Sequence, residues 1–523
     1  MSRNRRISRR RLLAYAAGLA ASLQGAALGR ARPVERPRFP DDPFKLGVAS
    51  GDPVPLGFVI WTRLAPLPLS RHAFSSDPVL VRWQVARDQN MLQVAREGVA
   101  IARPEDAHAV HVEVQGLEPG QDYFYRFVAG DAESPVGRAR TAPLIGAPTE
   151  SLRFAFCSCQ SLTDGYFAAY RDMVAQAPEL ILHLGDYIYE SDHVGGPRRI
   201  PVAEAMDLAD YRVLYARYKL DPALQAAHAA APWLAIWDDH EVENDWGGDE
   251  SPDGLNAEAF VRRKTAAFKA YFEHLPLRLS ARPAGARLRL YQRSVIGDLI
   301  QFDLLDCRQY RDRQACRGEP RNYRSYTEPC AESEAAQRSL LGAEQEGWLM
   351  RGFGRYGAKW NVLAQTTFLA PFDFLAGPGR AHDMDGWDGF AAGRQRLLDL
   401  VAGRGAANPV AIGGNIHATY AGVVPGDASD PASAPMMSEI VGTSISSSGG
   451  GNGRYASTRA QFSENPFARY FENRRRGYIL CDVGHAAWTA RVRTVANVLD
   501  PVAPSSTSTT LTIESGKVEV AVG

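Results

Sequence analysis

The chain has 523 residues, more than a single hydrophobic core usually serves, so we expect two or more domains. Hydrophobic residues make up 45% of the sequence and charged residues 23%, proportions typical of a soluble globular protein. The 59 basic and 59 acidic residues give a formal net charge of +0. This balance argues against a nucleic-acid-binding domain or a general attraction to anionic membranes.

The first 32 residues have the pattern of an export signal. A strongly basic start, residues 1–13, leads into an Ala-rich apolar run over residues 12–28. The string SRRRLL at residues 8–13 fits the twin-arginine type, which makes the twin-arginine export machinery a predicted partner. A membrane anchor or a basic tail is the alternative, but the apolar run is short and diluted by Gly, Ser and Gln. We therefore predict a periplasmic or secreted protein, without a membrane span after the signal.

Residues 44–143, after a Pro- and Arg-rich linker over 34–43, are predicted to form a small antiparallel β-sandwich. Alternating apolar and polar residues over 79–87 and 109–115 indicate half-buried strands. A Leu-x-Pro-Gly turn at 117–120 precedes Tyr123 and Tyr125, and this pattern resembles the tyrosine corner of fibronectin-III-like sandwiches. Nothing in this segment indicates catalysis, so we interpret it as a scaffold.

From residue 150 to about residue 500 the pattern changes to alternating strands and helices, typical of an α/β domain. The predicted helices cover residues 165–176, 207–219, 223–230, 256–273, 341–351 and 393–401. The predicted strands include residues 287–291, 294–296, 299–306, 360–364, 477–483 and 487–494. Residues 439–453 are predicted as a strand that leads into a low-complexity loop. The last segment, 501–523, is predicted as a Ser/Thr-rich spacer over 501–510 followed by a final pair of strands.

Four apolar runs in this domain stop at clusters of potential metal ligands. A single strand that ends in Gly-Asp is often a plain turn, but here the pattern recurs. The residues that follow the four runs are Cys157 and Cys159, then Asp186 and Tyr189, then Asp239 and His240, and finally Asn415 and His417. In α/β proteins, sites form outside the carboxyl ends of strands, so we predict one composite metal site.

The ligand types indicate the chemistry. Carboxylate and phenolate oxygens suit hard cations, whereas imidazole and thiolate suit iron or zinc. The mixed set fits two unlike metals that share one carboxylate, with Asp186 as the natural bridge. Such metal pairs activate water and stabilise the displacement of a phosphoryl group. The sequence therefore predicts hydrolysis of phosphate esters.

The six cysteines fit an oxidising compartment, where disulfides persist. Cys316 and Cys330 bracket a polar loop and form a candidate pair. Cys157 and Cys159 are too close in sequence for an easy mutual bridge, so one of them is a candidate ligand. Two buried cysteines without a role are the alternative.

Several strings in this chain resemble the PhoD-type alkaline phosphatases, a branch of the calcineurin-like metallophosphoesterases related in site layout to purple acid phosphatases. They are CQ at 159–160, GDYIYE at 185–190, WDDHEVEN at 237–244, DCRQYR at 306–311, QEGWL at 345–349 and GNIH at 414–417. The resemblance covers nearly the whole mature chain, including the N-terminal sandwich. It implies an α/β core of two packed mixed sheets flanked by helices. It also implies iron with calcium at the site, Fe(3+) and Ca(2+), and hydrolysis of phosphate monoesters and diesters.

The resemblance also implies roles for individual residues. The iron-side ligands are Cys159, Asp186, Tyr189 and His417, and the second metal lies near Asp186, Asp239 and Asn415. His240 is implied to contact the substrate phosphate or to protonate the leaving group. Weaker candidates for the phosphate pocket are Asn244, Arg308 and Gln365, and for Arg308 a structural ion pair is the alternative. We interpret Asp238 and Glu243 as carboxylates that orient a loop, and His183 as a satisfied core histidine.

One position departs from the family pattern. The family usually has Gly-Asp-x-His at the last motif, whereas this chain has Asn415 in place of the Asp. An amide oxygen can still bind calcium, but one negative charge is lost, so we expect weaker binding or a different second metal. Asn415 and the β-sandwich also leave open a non-enzymatic envelope protein that binds a phosphate ester. Among enzymes, the alternative is a phosphodiesterase of phospholipid-like substrates.

Overall fold

The computed structural model describes residues 33–35, 37–192, 195–317, 326–375, 377–430, 432–449 and 451–523. The predicted export signal, residues 1–32, lies outside these residues, so the twin-arginine signal stays a prediction. Among the described residues, no helix combines the length and the apolar character needed to span a membrane.

The described residues form a mixed α/β fold, as predicted. The helices are α1 (Ala168–Ala175), α2 (Leu208–Lys219), α3 (Pro222–Ala230), α4 (Ala257–His274), α5 (Gly342–Gly352), α6 (Ala391–Arg404) and α7 (Gly451–Ala460). The strands of the N-terminal part are β1 (Val48–Val54), β2 (Gly57–Arg63), β3 (Val79–Ala86), β4 (Val94–Ala102), β5 (Ala109–Gln115), β6 (Asp122–Ala129), β7 (Ala132–Glu133) and β8 (Gly137–Arg140). They are followed by β9 (Ser151–Cys157), β10 (Leu180–Leu184), β11 (Pro232–Ile236), β12 (Gln292–Ile296), β13 (Ile300–Leu304), β14 (Tyr326–Thr327), β15 (Trp360–Ala364) and β16 (His382–Asp383). The remaining strands are β17 (Pro409–Gly413), β18 (Thr419–Pro425), β19 (Pro435–Val441), β20 (Ala468–Glu472), β21 (Arg476–Gly484), β22 (Ala487–Val495), β23 (Ser505–Glu514) and β24 (Ala521–Val522).

Two large mixed sheets form the centre of the molecule. Ten of the described strands form the first sheet, in the order β24-β23-β22-β21-β9-β10-β11-β1-β2-β5. Seven form the second, in the order β12-β13-β15-β17-β19-β18-β20. The sheets pack face to face through aromatic side chains: Phe154 of β9 meets Phe302 of β13 edge-on, with ring centroids 5.2 Å apart. The prediction of two packed mixed sheets is therefore confirmed.

Helices flank both sheets. Tyr170 of α1 and Phe268 of α4 belong to the same buried cluster as β9, β10 and β11. Leu349 of α5 and Leu397 of α6 pack with the buried residues of β15 and β17. Local signals set the helix ends: Asp207, just before α2, accepts a hydrogen bond from the backbone N–H of Asp210 and completes a capping box.

The N-terminal β-sandwich shares a layer with the rest of the molecule. One layer is the separate sheet β4-β3-β6-β7, with β8 paired to β6. The other layer consists of β1, β2 and β5, which belong to the ten-stranded sheet, where β1 pairs in parallel with β11. In the predicted tyrosine corner, the Glu118 backbone N–H donates to the Tyr123 hydroxyl at 3.0 Å. The division into domains at 44–143 and 150–500 stays a prediction, because the sheet crosses the proposed boundary.

Three local predictions were wrong. Most of the predicted spacer, 501–510, belongs to β23, which pairs with β22. Residues 287–291 are not a strand, because the backbone N–H and C=O of Leu288 are bound by the Gln309 side chain instead. The predicted low-complexity loop ends in helix α7.

Candidate metal centre

The carboxyl ends of strands from both sheets meet at one place. Ser158, which follows β9, forms a parallel bridge with Ser444, which follows β19. A Cβ on Gly414, after β17, would lie 2.5 Å from the Ser158 Oγ and 3.2 Å from the Leu184 carbonyl oxygen. Glycine at 414 therefore lets the two sheets approach closely, and it brings the predicted ligands of the four strand ends together.

Four of the predicted ligands have left-handed backbone conformations that residues other than glycine rarely adopt. Their φ angles are 58° for Cys159, 55° for Asp186, 65° for Asn415 and 52° for His417. Such a conformation costs about 1–3 kcal/mol for each residue and persists only where the surrounding structure imposes it. The tight turns aim these side chains into the space between the strand ends.

Cys159, Asp186 and His417 form the first of two clusters at this point. Their ligand atoms all lie within 4.8 Å of one another. The Tyr189 hydroxyl is 3.0 Å from Asp186 Oδ2 and 3.0 Å from His417 Nε2. The structure thus brings together all four residues that the resemblance placed on the iron side.

His417 is oriented for binding a metal. Its Nδ1 lies 2.7 Å from the Ser448 carbonyl oxygen, which can only accept, so Nδ1 carries the proton. This leaves the Nε2 lone pair directed towards the cluster, the usual arrangement of metal-binding histidines. Burial lowers the pKa of His417 to about 4, which keeps the imidazole neutral.

Asp186, Asp239 and His240 form the second cluster, with ligand atoms again within 4.8 Å of one another. Asp186 belongs to both clusters, which is the bridging position that the sequence indicated. Asp186 Oδ1 and Asp239 Oδ1 are buried and have no hydrogen-bond partner among the described residues. Burial, followed by the charge of Asp239, raises the pKa of Asp186 well above its usual range. Unpartnered carboxylate oxygens at this density fit a bound cation, which would compensate both charges.

Asn415 lies next to the first cluster. It follows β17 and is half-buried, two residues before His417. Burial raises the pKa of the Cys159 thiol well above its usual value, followed by the charge of Asp186, while a hydrogen bond from the Asn415 backbone N–H acts in the opposite direction. The donor set offers sulfur, imidazole, phenol and carboxylate in the first cluster, and carboxylate and imidazole in the second, while the role of Asn415 as a ligand stays a prediction. It therefore fits a softer and a harder metal ion.

His240 carries a positive charge beside these carboxylates. Its Nδ1 lies 2.7 Å from Glu190 Oε2, and its ring packs on the Tyr189 ring with centroids 4.1 Å apart. Burial alone would lower the pKa of His240, but Glu190, Asp239 and Asp186 together raise it well above its usual value. The sequence analysis missed the part played by Glu190, whose only signal was its place in the GDYIYE string.

Arg308 is surrounded by carboxylates. Its Nε donates to Asp238 Oδ1 at 2.6 Å, Nη1 lies 2.8 Å from Asp385 Oδ2, and Nη2 lies 3.6 Å from Asp239 Oδ1. The guanidinium is buried, and these partners outweigh burial and raise its pKa. This is the structural ion pairing that the sequence left open as the alternative to phosphate binding.

The other candidates for the phosphate pocket differ in their surroundings. Asn244 is exposed, and its backbone N–H donates to Glu190 Oε1 at 2.9 Å. Gln365 is buried; its Oε1 accepts a hydrogen bond from Trp387 Nε1 at 2.6 Å, and its Nε2 has no partner among the described residues. The roles of both residues stay predictions.

The carboxylates expected to orient the loop do so. Asp238 accepts hydrogen bonds from Arg308 and from the Thr366 hydroxyl, and Glu243 accepts one from the Ser251 hydroxyl at 2.6 Å. Sequence analysis missed Glu241, whose two oxygens accept the backbone N–H groups of Tyr187 and Asp238. Glu241 thereby ties the loops after β10 and β11 together.

His183 is a core histidine, but it is not a satisfied one. It is fully buried and stacks on Trp233, yet neither ring nitrogen has a hydrogen-bond partner among the described residues. The predicted disulfide between Cys316 and Cys330 is confirmed. Cys157 is a buried cysteine outside any disulfide.

Comparison with known proteins gives one consistent result. The family model of the PhoD-like phosphatases matches residues 154–492, and the model of the N-terminal domain of PhoD-like phosphatases matches residues 29–143. The chain is 43% identical over 477 residues to alkaline phosphatase D of Bacillus subtilis (strain 168), which covers 90% of this chain and 81% of that protein. A solved structure of PhoD superposes with a TM-score of 0.88 at 41% identity, and the match covers 93% of each chain.

Proposed function

Because this chain belongs to the PhoD-like phosphatase family and is a phosphoric ester hydrolase, we propose that it cleaves phosphate monoesters and diesters at a centre of two unlike metal ions. One observation supports this more than any other. Asp186 belongs to both clusters, and Asp186 and Asp239 each keep a buried oxygen without a hydrogen-bond partner among the described residues. A carboxylate shared by two ligand clusters is the arrangement that holds two metals close together.

Each cluster would hold one ion. Cys159, Asp186, Tyr189 and His417 would bind iron, and Asp186, Asp239 and Asn415 would bind the second ion, calcium in this proposal. When bound, the pair supplies an activated water and neutralises charge on the phosphoryl oxygens. The protein fixes the ligand side chains through the left-handed turns at the strand ends and through the Ser448 carbonyl, which accepts a hydrogen bond from His417 Nδ1.

His240 is the proposed acid of the reaction. Glu190 engages its Nδ1 and holds the imidazole in the charged form, which leaves the Nε2 proton for the oxygen of the departing alcohol. In this proposal Arg308 does not bind the phosphate but holds the surrounding carboxylates in place. Its guanidinium forms ion pairs with Asp238, Asp239 and Asp385.

The substitution Asp186→Asn tests the two-metal proposal. We expect the protein purified without chelators to contain iron and calcium, and the variant to lose both, because the shared carboxylate contributes to each cluster. Hydrolysis of p-nitrophenyl phosphate and bis(p-nitrophenyl) phosphate should fall at least about 100-fold. Asp427→Asn, in an exposed loop, serves as the control. Unchanged turnover in Asp186→Asn would overturn the proposal.

We also propose that the protein reaches the periplasm or the medium by twin-arginine export, on the evidence of the basic, apolar pattern of residues 1–32. The test replaces Arg9 and Arg10 together by Lys and follows where the protein accumulates. Retention of the variant in the cytoplasm is expected, while export equal to that of the wild type would contradict the proposal.

A further inference from the structure

A pocket lies where the start of α1, the end of α2 and the start of α3 meet. Its volume is about 530 Å³, within the range of ~300–1,000 Å³ that is typical of small-molecule sites. Among the described residues that line it, none belongs to either ligand cluster, so the pocket is separate from the metal centre. Most of the wall is apolar or aromatic and consists of Tyr166, Phe167, Leu220, Pro222, Ala226 and Pro501.

Arg198 is a fixed part of this wall. Its side chain is only 10% exposed, and it donates to Asp221 Oδ2 at 2.6 Å and to the Leu162 carbonyl oxygen at 3.0 Å. Its guanidinium group also lies over the Phe167 ring, 4.4 Å from the ring centroid. Because Arg198 and Asp221 neutralise each other, this pair gives the pocket a preformed shape without a net charge.

Arg171 and Arg217 give the pocket its positive charge. Arg171 of α1 is exposed, and its Nη1 donates to the Pro501 carbonyl oxygen at 3.3 Å. Arg217 of α2 is half-buried, and its Nε donates to the Arg199 carbonyl oxygen at 3.1 Å. Within the part of the chain that the structure describes, neither guanidinium group forms an ion pair with a carboxylate. Both therefore keep N–H groups that can bind an anion through charge-assisted hydrogen bonds.

We propose that this pocket binds a planar aromatic molecule that carries an anionic group. The apolar wall would remove the ring from water, and Arg171 and Arg217 would bind the anionic group. A small inorganic anion would leave the apolar wall unfilled, and a neutral ring would leave both guanidinium groups without a partner. The inference goes beyond the proposed function, because binding in this pocket requires neither metal ions nor turnover.

Calorimetric titration of the purified protein with naphthalene-1-sulfonate tests the proposal. This probe is an aromatic anion but not a phosphate ester, so the protein cannot hydrolyse it as a substrate. We expect one site per chain, with the same affinity before and after the metal ions are removed by a chelator. Naphthalene-1-sulfonamide has the same ring without the charge, and it should bind at least about tenfold more weakly.

Two variants test the charged contacts. Arg171→Gln and Arg217→Gln should each weaken binding of the sulfonate by about tenfold and leave the affinity for the sulfonamide unchanged, because only the charged contact is lost. Arg262→Gln is the matched control: Arg262 lies in α4, its side chain is 65% exposed, and it does not line the pocket. This control should bind both probes as the wild type does.

A third variant tests the apolar part of the pocket. Ala226→Trp adds bulk from an exposed position of α3, so it should weaken binding of both probes. Ala402→Trp adds the same bulk at an exposed position of α6, outside the pocket, and should change neither affinity.

Three results would overturn the inference. The wild type could show no saturable binding of the sulfonate, or binding could disappear after chelation, which would place the probe at the metal centre. Equal affinity of the wild type, Arg171→Gln and Arg217→Gln would also overturn it. These two variants change side chains at the surface, so the test does not depend on the folding of Ala226→Trp. A protein without phosphatase activity that still binds the sulfonate in this way would contradict the proposed function and support this inference.

Discussion

Asn415 is the residue at which this chain departs from the Gly-Asp-x-His pattern of its family. In the proposed centre it would supply an amide oxygen where a carboxylate is usual, and the second metal would have one neutralising charge fewer. The left-handed φ of 65° suits Asn, which tolerates that conformation better than most residues. Asn at this position therefore suits the local backbone and carries no charge where the family pattern has a carboxylate.

Asn415→Asp should tighten binding of the second metal. The added charge lies beside a divalent ion in a buried setting, so we expect the calcium concentration for half-maximal activity to fall by about 10- to 100-fold. The measurement is recovery of diester hydrolysis as calcium is added back to chelator-treated protein. Asn497→Asp, in an exposed turn, is the matched control. An unchanged calcium requirement would show that Asn415 does not bind this metal.

Glu190→Gln should separate acid catalysis from metal binding. Glu190 does not belong to either ligand cluster, but it engages His240 Nδ1 at 2.7 Å and holds its positive charge. We expect kcat to fall by about 10- to 100-fold with metal content unchanged. His240→Gln should lower kcat by at least the same factor. The kcat of the double variant should be little lower than that of His240→Gln alone. Additive losses in the double variant would contradict a shared role.

At the scale of the element, the turn after β10 fixes the bridging carboxylate. Gly185 has a φ of 93°, and a Cβ there would lie 2.5 Å from the Asp238 Cβ and 2.8 Å from its backbone nitrogen. The loops that follow β10 and β11 therefore pack backbone to backbone. Glu241 then ties them by accepting hydrogen bonds from Tyr187 and Asp238.

Gly185→Ala should disturb both stability and metal content. Alanine in this left-handed conformation has a backbone strain of about 1 kcal/mol. Its Cβ also collides with Asp238 and forces the two loops apart. Gly254→Ala is a matched control, because Gly254 has a φ of 79° and nothing within 4 Å of the added Cβ. We expect a loss of unfolding free energy in Gly185→Ala about 2 kcal/mol larger than in the control, measured by denaturant titration, together with loss of bound iron. Equal effects of the two variants would refute the close-packing explanation.

Sequence periodicity predicted most elements, since amphipathic helices and apolar strands bury one face by a regular pattern. The failures have physical reasons. Helix α7 begins at a Gly with a φ of 62° after a Ser- and Gly-rich run, which is the composition of a loop. In β23, Thr509, Leu511 and Ile513 are buried alternately, but residues 505–510 are all Ser or Thr, the composition of a spacer, so the first part of the strand was missed.

The same limit applies to the candidate site. The strand ends were predictable, because each ligand follows an apolar run directly. The charged partners of the site residues were not predictable from the sequence. Arg308 pairs with Asp385 from a distant segment, and Glu190 contacts His240, which lies fifty positions away. Only the folded chain brings these partners together.

At the scale of the whole molecule, the ten-stranded sheet links the N-terminal sandwich, the metal centre and the C-terminal strands. β11, which leads to Asp239, pairs with β10 on one side and with β1 on the other. Three histidines in this part of the molecule are buried, His183 in β10, His228 in α3 and His274 in α4, and burial lowers their pKa values. The fold therefore contains neutral imidazoles that acid must charge.

His183→Phe should make the protein less sensitive to acid. Burial lowers the pKa of His183 from 6.5 to about 3, so the fold favours the neutral ring. Its contribution to stability is therefore complete above pH 6.5 and is lost as the pH falls towards 3. Between about pH 7.5 and pH 5, this one group should cost the wild type about 2 kcal/mol of unfolding free energy. Phe keeps an aromatic ring against Trp233 and cannot be protonated, so the variant should lack that loss.

The measurement is the unfolding free energy at several pH values for the wild type, His183→Phe and the control His72→Phe. His72 is exposed and lies away from the buried histidines in the sequence, so the control should follow the wild type. Neither ring nitrogen of His183 has a hydrogen-bond partner among the described residues. The substitution by Phe should therefore change the unfolding free energy little at neutral pH. If His183→Phe is strongly destabilised at pH 7.5, the ring nitrogens must be bonded. If its pH dependence matches the wild type, the charge of His183 does not limit stability in acid.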